Sequence, residues 1–224
     1  MTPTIVHSSK AHAALLDLLL KVAESSAEVL LTGPSGVGKE LYASFIHANS
    51  PRADRALVVI NCSNLTDEMM ESENYGHSRG AFTGAVTSRD GIAASADGGT
   101  LFLDEIDTLS LSCQAKLLRF VQQKEYRRLG ETHIQRANFR LIAAANGDLK
   151  TQVEQGIFRK DLYYRLRVVP VDIPPLSERP EDVPALLEHF MKKYAKEYGT
   201  SPITFSDAAR QRLQSYTWPG NVRE

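Results

Sequence analysis

A glycine-rich turn that ends in lysine is the clearest candidate for chemistry in this sequence. The stretch Gly33-Pro34-Ser35-Gly36-Val37-Gly38-Lys39 follows an apolar run and leads into a helical pattern, which is the context of a P-loop. Glycines let the backbone turn its N–H groups toward phosphates, and the helix N-terminus adds its positive dipole. Lys39 would reach the β- and γ-phosphates. A chance glycine-rich turn is the weaker alternative.

The residue after the lysine departs from the general P-loop pattern. Glu40 stands where serine or threonine usually offers a hydroxyl to Mg²⁺. A carboxylate oxygen is also a hard ligand for Mg²⁺, so direct contact and contact through water are both open. The departure favours a subgroup of P-loops.

Two acids and an amide at the ends of later apolar runs could complete the site. Asp104 could hold Mg²⁺ through its water shell, and Glu105 could polarise an attacking water as general base. Either acid alone could be a solvated loop carboxylate, but both together downstream of a P-loop indicate hydrolysis. Asn146 could orient the water or sense the γ-phosphate, and its competing interpretation is a helix cap before Asp148.

A parallel sheet would bring these groups together. Near-continuous apolar runs are typical of strands covered on both faces, and helical patterns lie between them, which predicts an α/β fold with a parallel sheet flanked by helices. The predicted strands are Val29–Leu31, Leu57–Ile60, Leu101–Leu103, Leu141–Ala144 and, as a fifth candidate, Val168–Val169. A helix should precede them, with one face formed by Leu15, Leu18, Leu19 and Val22.

A proline-rich stretch, "VDIPPLSERPEDVP", predicts a linker. We therefore expect an α/β domain over residues 1–174 and a small all-helical domain over residues 175–224. Its first helix should start near an N-cap at Asp182, with one apolar face formed by Val183, Leu186, Leu187, Phe190, Met191 and Tyr194. A second helix should start at Ser206. A third should begin around Pro219–Asn221 and be cut off, so the helical domain is expected to be incomplete.

Bulk properties exclude several classes of protein. The 224 residues are 42% hydrophobic and 24% charged, as in soluble globular proteins. A net charge of −1 gives no indication of general nucleic-acid binding. No apolar run approaches the ~20 residues that span a bilayer, and the N-terminus lacks a signal-peptide pattern. Two cysteines without disulfide or metal spacing favour a reducing cytoplasm.

Taken together, the motifs resemble the AAA+ ATPase domain of bacterial enhancer-binding proteins, the activators of sigma-54 RNA polymerase. The resemblance runs from about Ile5 to Glu224. Its most specific marks are the P-loop with Glu40 and the hexapeptide Gly80-Ala81-Phe82-Thr83-Gly84-Ala85, and "ADGGTLFLDE", "FRKDLYYRL" and "WPGNVRE" support it. It implies an AAA+ P-loop NTPase fold followed by a helical lid subdomain, truncated here.

The resemblance also implies ATP and Mg²⁺ as ligands and gives roles to individual residues. Lys39 and Glu40 match Walker A, while Asp104 and Glu105 match Walker B, with Mg²⁺ held by Asp104 and Glu40, directly or through water. Asn61 matches the asparagine that pairs with the Walker B glutamate, and Asn146 matches sensor I. Arg159 and Arg165 match the arginine fingers that reach the neighbouring subunit's nucleotide. Arg223 matches sensor II. Other expected ATP-binding residues are Ile5, Val6, Ala96, Asp97, Gly98, Gly99, Thr100, Leu101, Phe102 and Leu103.

The hexapeptide is the predicted contact with sigma-54. Gly80 and Gly84 permit unusual backbone angles, and exposing Phe82 is unfavourable unless a partner covers it. In isolation, a tight turn that buries Phe82 would be a fair alternative. The resemblance implies sigma-54 RNA polymerase holoenzyme as partner, self-assembly into a ring (a hexamer), DNA contact only through a helix-turn-helix absent from this chain, and no membrane. The segment from Leu129 to His133 matches a second surface loop.

Two other functions stay open at this point. One is a nucleotide-gated assembly or regulatory module without significant hydrolysis, against which the Lys39, Asp104 and Glu105 set argues. The other is an AAA+ remodeller of another client, against which the intact hexapeptide argues. The sequence departs from the family pattern at positions that remove no catalytic group: His7, Asn74, Tyr75, Ala145 and Ser177.

Overall fold

The computed structural model describes residues 3–67, 76–77, 89–126, 133–201 and 203–224. The hexapeptide Gly80–Ala85 lies outside these residues, as do Asn74, Tyr75 and the Leu129 end of the second loop.

The described residues contain one five-stranded parallel sheet and two short antiparallel strand pairs. The large sheet is built from β1 (Val29–Thr32), β2 (Leu57–Asn61), β5 (Thr100–Asp104), β8 (Arg140–Ala145) and β9 (Val169–Asp172), in the spatial order β2-β5-β8-β1-β9. The short pairs are β3 (Gly76–His77) with β4 (Arg89–Asp90) and β6 (Glu125–Tyr126) with β7 (Gln135–Arg136). All five predicted strands are therefore present, although the last begins one residue later than predicted because Val168 is exposed.

Both faces of the large sheet are covered, which explains the unbroken apolar runs. Successive side chains of a strand point to opposite faces, so Leu101 and Leu103 join one buried cluster while Phe102, between them, joins the other. Burying a side chain such as Phe102 stabilises the fold by about 1.5–3 kcal/mol. The prediction of a parallel sheet flanked by helices is confirmed.

Helices pack on both faces of the sheet. The first two, α1 (Lys10–Ala23) and α2 (Lys39–Ala48), contribute to one cluster. The other cluster receives side chains from α3 (Ile92–Ser95), α4 (Leu111–Gln123), α5 (Leu149–Glu154) and α6 (Lys160–Leu166). On α1 the predicted apolar face was wrong at one position: Leu18 is 45% exposed and Leu16 is buried instead. The buried face is rotated relative to the predicted one because α1 packs beside α2.

The C-terminal part is helical, as predicted, with α7 (Val183–Tyr198) and α8 (Asp207–Gln214) following two short 3₁₀ turns, Leu176–Glu178 and Pro180–Asp182. Ser206 caps α8 through its side chain. The third predicted helix, around Pro219–Asn221, is wrong: these residues form a turn, because Asn221 adopts a left-handed conformation with φ 52°. Among the described residues, no helix is both long and apolar enough to cross a membrane.

A buried polar cluster joins the N-terminal segment to the start of the helical part. The Asp182 carboxylate accepts hydrogen bonds from the backbone N–H groups of Ser8 and Ser9 at 2.6 and 2.7 Å, and it lies 2.7 Å from Nδ1 of His12. Nε2 of His12 lies 2.6 Å from the hydroxyl of Tyr42 on α2. Asp182 therefore precedes α7 as predicted, but its side chain holds the N-terminus of the chain and does not cap the helix.

Candidate functional site

The glycine-rich turn lies between the C-terminal end of β1 and the N-terminus of α2. Gly36 and Gly38 have φ angles of 82° and 99°, which side-chain-bearing residues rarely adopt. No side chain caps α2 at Gly38, so the first amides of the helix are available to an anion. The local backbone is therefore that of a phosphate-binding loop.

A cavity of about 240 Å³ brings the two predicted motifs together. It lies between the glycine-rich turn, the end of β5, the end of β8 and the C-terminal turn of the chain. Its lining residues are Ser35, Gly36, Gly38, Lys39, Glu40, Asp104, Glu105, Asn146, Val222 and Arg223. The parallel sheet places these groups together because β5, β8 and β1 are neighbours and end at the same edge.

Lys39 is held in the middle of this cavity by oxygen atoms. Its ammonium donates to the carbonyls of Gly33 and Pro34 at 2.8 and 3.1 Å and to the Asn146 amide oxygen at 2.7 Å. Only 6% of Lys39 is exposed, and burial lowers the pKa of its ammonium, although Asp104 nearby opposes the shift. The lysine is thus a poorly solvated cation suited to an anionic ligand.

The two acids differ in environment although they are adjacent. Burial raises the pKa of Asp104, against the opposing effects of the Glu105 backbone N–H and of Lys39. Glu105 adopts the left-handed conformation, with φ 55° and ψ 42°, and its N–H donates to the Asp104 carboxylate at 2.9 Å. Such backbone strain in a residue with a side chain is concentrated at functional sites. Both carboxylates line the cavity, as a shared hydrolytic role requires.

The residues present fit a divalent cation that also binds phosphate and water. Glu40 and Asp104 line the same cavity, and the negative charge of Glu40 contributes to the raised pKa of Asp104. Within the described part of the chain, no three His, Cys, Asp or Glu side chains form a group that could hold a metal by themselves. Mg²⁺ commonly uses one or two protein carboxylates and completes its shell with phosphates and water.

Asp107 belongs to the site although the sequence analysis did not single it out. It lies on a 3₁₀ turn, Ile106–Thr108, directly after the two acids. Its carboxylate accepts the backbone N–H of Asn146 at 3.2 Å and acts on the pKa of Lys39. The third acid in "LDEID" was the available signal. Asp107 therefore fixes the position of the amide that contacts Lys39.

The C-terminal turn closes over the glycine-rich turn. The side-chain amide of Asn221 donates to the Ser35 carbonyl at 3.0 Å, and its oxygen accepts the Leu176 N–H at 2.8 Å. The backbone N–H of Arg223 donates to the Gly36 carbonyl at 3.2 Å, and its guanidinium donates to the Ser35 hydroxyl at 3.2 Å. Arg223, predicted as sensor II, thus lies at the cavity, while the Asn221 contact was not foreseen.

The two predicted arginine fingers do not line this cavity. Arg159, 41% exposed in its side chain, pairs with Asp161 at 2.8 Å. Arg165 forms a two-pronged ion pair with Glu28, at 2.5 and 2.8 Å. The guanidinium of Arg165 is therefore engaged within its own chain, whereas Arg159 stands on the surface.

Asn61 and several of the predicted ATP-binding residues do not line the cavity. Asn61 is beside Asp104 in the register of β2 and β5, but its amide oxygen accepts from the N–H and hydroxyl of Ser63 at 2.9 and 2.7 Å. Ile5 is buried in the core and Val6 is partly buried. The run Ala96–Leu103 forms a turn and the body of β5, where alternating side chains are committed to the core, so only its continuation at Asp104 and Glu105 reaches the cavity.

Comparison with protein families and with known proteins agrees with this geometry. Residues 5–172 match the family described as the sigma-54 interaction domain, and residues 177–224 match the AAA+ ATPase lid domain. The alginate biosynthesis transcriptional regulatory protein AlgB of Pseudomonas aeruginosa is 52% identical over 216 residues, which cover 96% of this chain and 48% of that protein. The nitrogen fixation protein AnfA of Azotobacter vinelandii is 49% identical over 220 residues, covering 98% and 41%.

Solved structures show the same fold. NtrX from Brucella abortus in complex with ADP superposes with a TM-score of 0.91 at 36% identity, covering all of this chain and 49% of that one. The ATP complex of the same protein gives a TM-score of 0.90. The chain spans about half the length of these relatives. It belongs to the family of the sigma-54 interaction domain, the AAA+ domain of sigma-54-dependent transcriptional activators.

Proposed function

We propose that this domain hydrolyses ATP at a site shared between neighbouring subunits of a ring and uses the reaction to remodel sigma-54 RNA polymerase through Gly80–Ala85. Nucleotide binding is supported by the phosphate-binding loop and by the ATP and ADP complexes of NtrX. Family membership supports sigma-54 as the client.

The chain's own residues can perform most of the reaction. Lys39 would leave its carbonyl partners to contact the β- and γ-phosphates, and its freed partner Asn146 would face the attacking water. Glu105 would take the proton of that water as general base. Mg²⁺, held by Asp104 and Glu40, would neutralise charge that develops on the phosphate oxygens. Arg223 would follow the nucleotide through its contacts with Ser35 and Gly36.

The set of residues that line the cavity is the observation that supports a site shared between subunits. It is lined by the lysine, both acids, the sensor amide and the lid arginine, but by neither Arg159 nor Arg165. A guanidinium stabilises charge spread over the transferring phosphoryl group. Both arginines pair with a carboxylate of their own chain, but the Arg159 pair is exposed, and such pairs contribute little, whereas the Arg165 pair is more buried. We therefore assign the contact with the neighbour's nucleotide to Arg159.

A concentration series tests this assignment. ATPase activity per subunit should rise with protein concentration as subunits assemble, because a lone subunit lacks Arg159 of its neighbour. Arg159→Ala should lower the ATPase activity per subunit that is reached at high protein concentration on the order of 10³-fold, the typical contribution of an arginine finger. Binding of a fluorescent ATP analogue should be retained. Phosphate release and analogue fluorescence measure the two quantities.

Arg212→Ala is the matched control, since Arg212 is an exposed arginine on α8, away from the cavity. Equal specific activity at all concentrations would contradict the shared site. Nucleotide binding and assembly without phosphate release, in the unmodified protein, would favour the nucleotide-gated module instead.

A further inference from the structure

We propose that Gln114 is a positioning residue for Arg159, holding the backbone from which that arginine projects toward the neighbouring subunit. This inference rests on the proposed function, in which Arg159 acts in trans. Gln114 lies on α4, 45 residues before Arg159 in the sequence, and is not among the residues that line the nucleotide cavity.

The side-chain amide of Gln114 is fully buried and fully engaged. Its Nε2 donates to the carbonyls of Leu109 and Ile157 at 2.9 and 3.0 Å. Its Oε1 accepts the backbone N–H of Arg159 at 2.7 Å. A buried amide is unfavourable unless its donors and acceptor are paired, and two of these three bonds are made to the segment that carries Arg159.

That segment is held partly by its own backbone bonds, since the N–H groups of Ile157 and Phe158 both donate to the Gln152 carbonyl, at 2.9 and 3.1 Å. Arg159 precedes α6 in an extended conformation, with φ −70° and ψ 129°, and no side chain caps the helix there. Phe158 is only 2% exposed and anchors the segment in the core, but these contacts leave the Ile157 carbonyl and the Arg159 N–H without a backbone partner among the described residues. The two bonds from Gln114, to residue 157 and to residue 159, fix the backbone on both sides of Phe158.

The same amide reaches toward the hydrolytic acids. Leu109, whose carbonyl Gln114 binds, ends the 3₁₀ turn that begins directly after Glu105. Gln114 therefore connects the backbone of Arg159 to the turn that follows Glu105, the proposed general base of the same subunit. Among the residues that the structure describes, the side chain of Arg159 pairs with Asp161 at the surface. Its backbone is therefore fixed by Gln114, while its guanidinium can change partners.

The inference is tested with Gln114→Met, which keeps a similar volume and removes all three bonds. ATPase activity in the assembled full chain should fall about 10- to 100-fold, because a misplacement near 1 Å of a catalytic group has effects of that size. Binding of a fluorescent ATP analogue should be unchanged. Gln122→Met, at an exposed position of the same helix, is the matched control and should behave like the unmodified protein.

Mixing variants separates positioning of Arg159 from general damage. Lys39→Ala subunits have a defective nucleotide site but a normal Arg159, so mixing them with Gln114→Met subunits should raise activity several-fold above either variant alone. Mixing Gln114→Met with Arg159→Ala should restore nothing, because neither variant supplies a well-placed arginine. Gln114→Glu keeps an acceptor for the Arg159 N–H but sets its second oxygen against the carbonyls of Leu109 and Ile157, so mixing it with Lys39→Ala subunits should likewise raise activity.

The outcomes distinguish this inference from the proposed function. If Arg159→Ala alone keeps full activity, the shared site itself is wrong. If Arg159→Ala behaves as proposed but Gln114→Met is fully active, or responds identically to both mixing partners, only the role of Gln114 is overturned. If both Gln114 variants unfold or lose nucleotide binding, Gln114 is a structural core residue, and the inference is likewise overturned.

Discussion

At the scale of single residues, the cavity holds charge that burial opposes. The pKa of Asp104 is raised and that of Lys39 is lowered, in both cases chiefly by burial. The charged forms of both groups are therefore less favourable in the folded chain than in the unfolded one. The left-handed backbone conformation of Glu105 adds a further unfavourable contribution to the folded state. Such a site is poised for a charged ligand at the expense of stability in its absence.

Asp104→Asn should consequently stabilise the nucleotide-free protein at neutral pH. Because the folded pKa of Asp104 is raised, the protonated carboxyl favours the folded state at pH values below its ordinary pKa. This stability is lost as pH rises through the folded pKa, so at pH 7 the ionised carboxylate makes folding less favourable. The free energy of unfolding of the variant should be higher by about 0.5–2 kcal/mol at pH 7, as is typical when an unfavourable functional-site residue is replaced. The increase should be smaller near pH 4. Thermal unfolding at the two pH values measures this.

Asp54→Asn, at an exposed position, serves as the control and should change little at either pH. A lower melting temperature of Asp104→Asn at pH 7 would show that attraction to Lys39 outweighs the burial of the carboxylate.

At the scale of elements, the buried polar cluster connects α1, α2 and the start of α7. Burial acts to raise the pKa of Asp182, but the N–H groups of Ser8 and Ser9 and the ring of His12 more than offset this, so the pKa is lowered. Burial lowers the pKa of His12. A neutral His12 that donates to Asp182 from Nδ1 can accept from Tyr42 at Nε2, which satisfies both contacts. The helical part is thereby attached to the N-terminal segment.

Asp182→Asn should destabilise the chain by about 3 kcal/mol at pH 7, because the buried Arg179 guanidinium, 3.6 Å from the Asp182 carboxylate, would lose its charged partner. The folded pKa of Asp182 is lowered, so the stability that its carboxylate contributes is present above its ordinary pKa and is lost as pH falls through the folded pKa. The difference between the variant and the unmodified protein should therefore shrink on acidification. Urea unfolding at pH 7 and at pH 3, which lies below the ordinary pKa of Asp182, measures it.

Glu181→Gln, the exposed neighbour, should have little effect and controls for a change of net charge beside α7. A difference that grows on acidification would contradict the assignment of ionised Asp182 as the acceptor.

At the scale of the whole molecule, the proposed ATP site and the proposed sigma-54 contact are joined by a short stretch of chain. The strands on either side of residues 78–88 pair with each other, and the chain then passes through α3 into β5, which ends at Asp104. The second neighbour of β5 is β2, whose end lies beside Asp104 in register. The two ends of the intervening segment thus lead to neighbouring strands, of which β5 ends in acids that line the cavity.

Phe82→Ala should abolish capture of sigma-54 and leave ATP hydrolysis largely intact. Truncating a central aromatic contact typically lowers affinity by about 2 kcal/mol or more, roughly thirtyfold in Kd. A pull-down of sigma-54 with the protein held by ADP and aluminium fluoride measures the interaction. Thr83→Ala should act in the same direction.

Tyr198→Ala is the control for that experiment, because Tyr198 is an aromatic residue 72% exposed on α7. Unfolding of the Phe82 variant would mean that this side chain belongs to the core, and full sigma-54 capture by it would favour a different client or contact.

Local patterns were sufficient to predict much of this protein. The strands, the glycine-rich turn and the acids that follow β5 are encoded in short stretches, because burial on both faces and phosphate binding each impose a nearly continuous pattern of residue types. Even so, the rotation of α1 was mispredicted at Leu18, since helical periodicity allows several faces until a neighbour selects one. The turn at Asn221 was mispredicted because its conformation depends on contacts with Ser35 and Leu176.

By itself, therefore, the sequence determined the fold class, the order of the nucleotide-binding motifs and the family. Only the tertiary structure decided the strand order β2-β5-β8-β1-β9, the role of Asp107 at Asn146, the engagement of Arg165 by Glu28, and the support of Arg159 by Gln114. The physical reason is the same in each case. These contacts join residues 39 to 137 positions apart, and a hydrogen bond between distant residues leaves no periodic trace in the sequence.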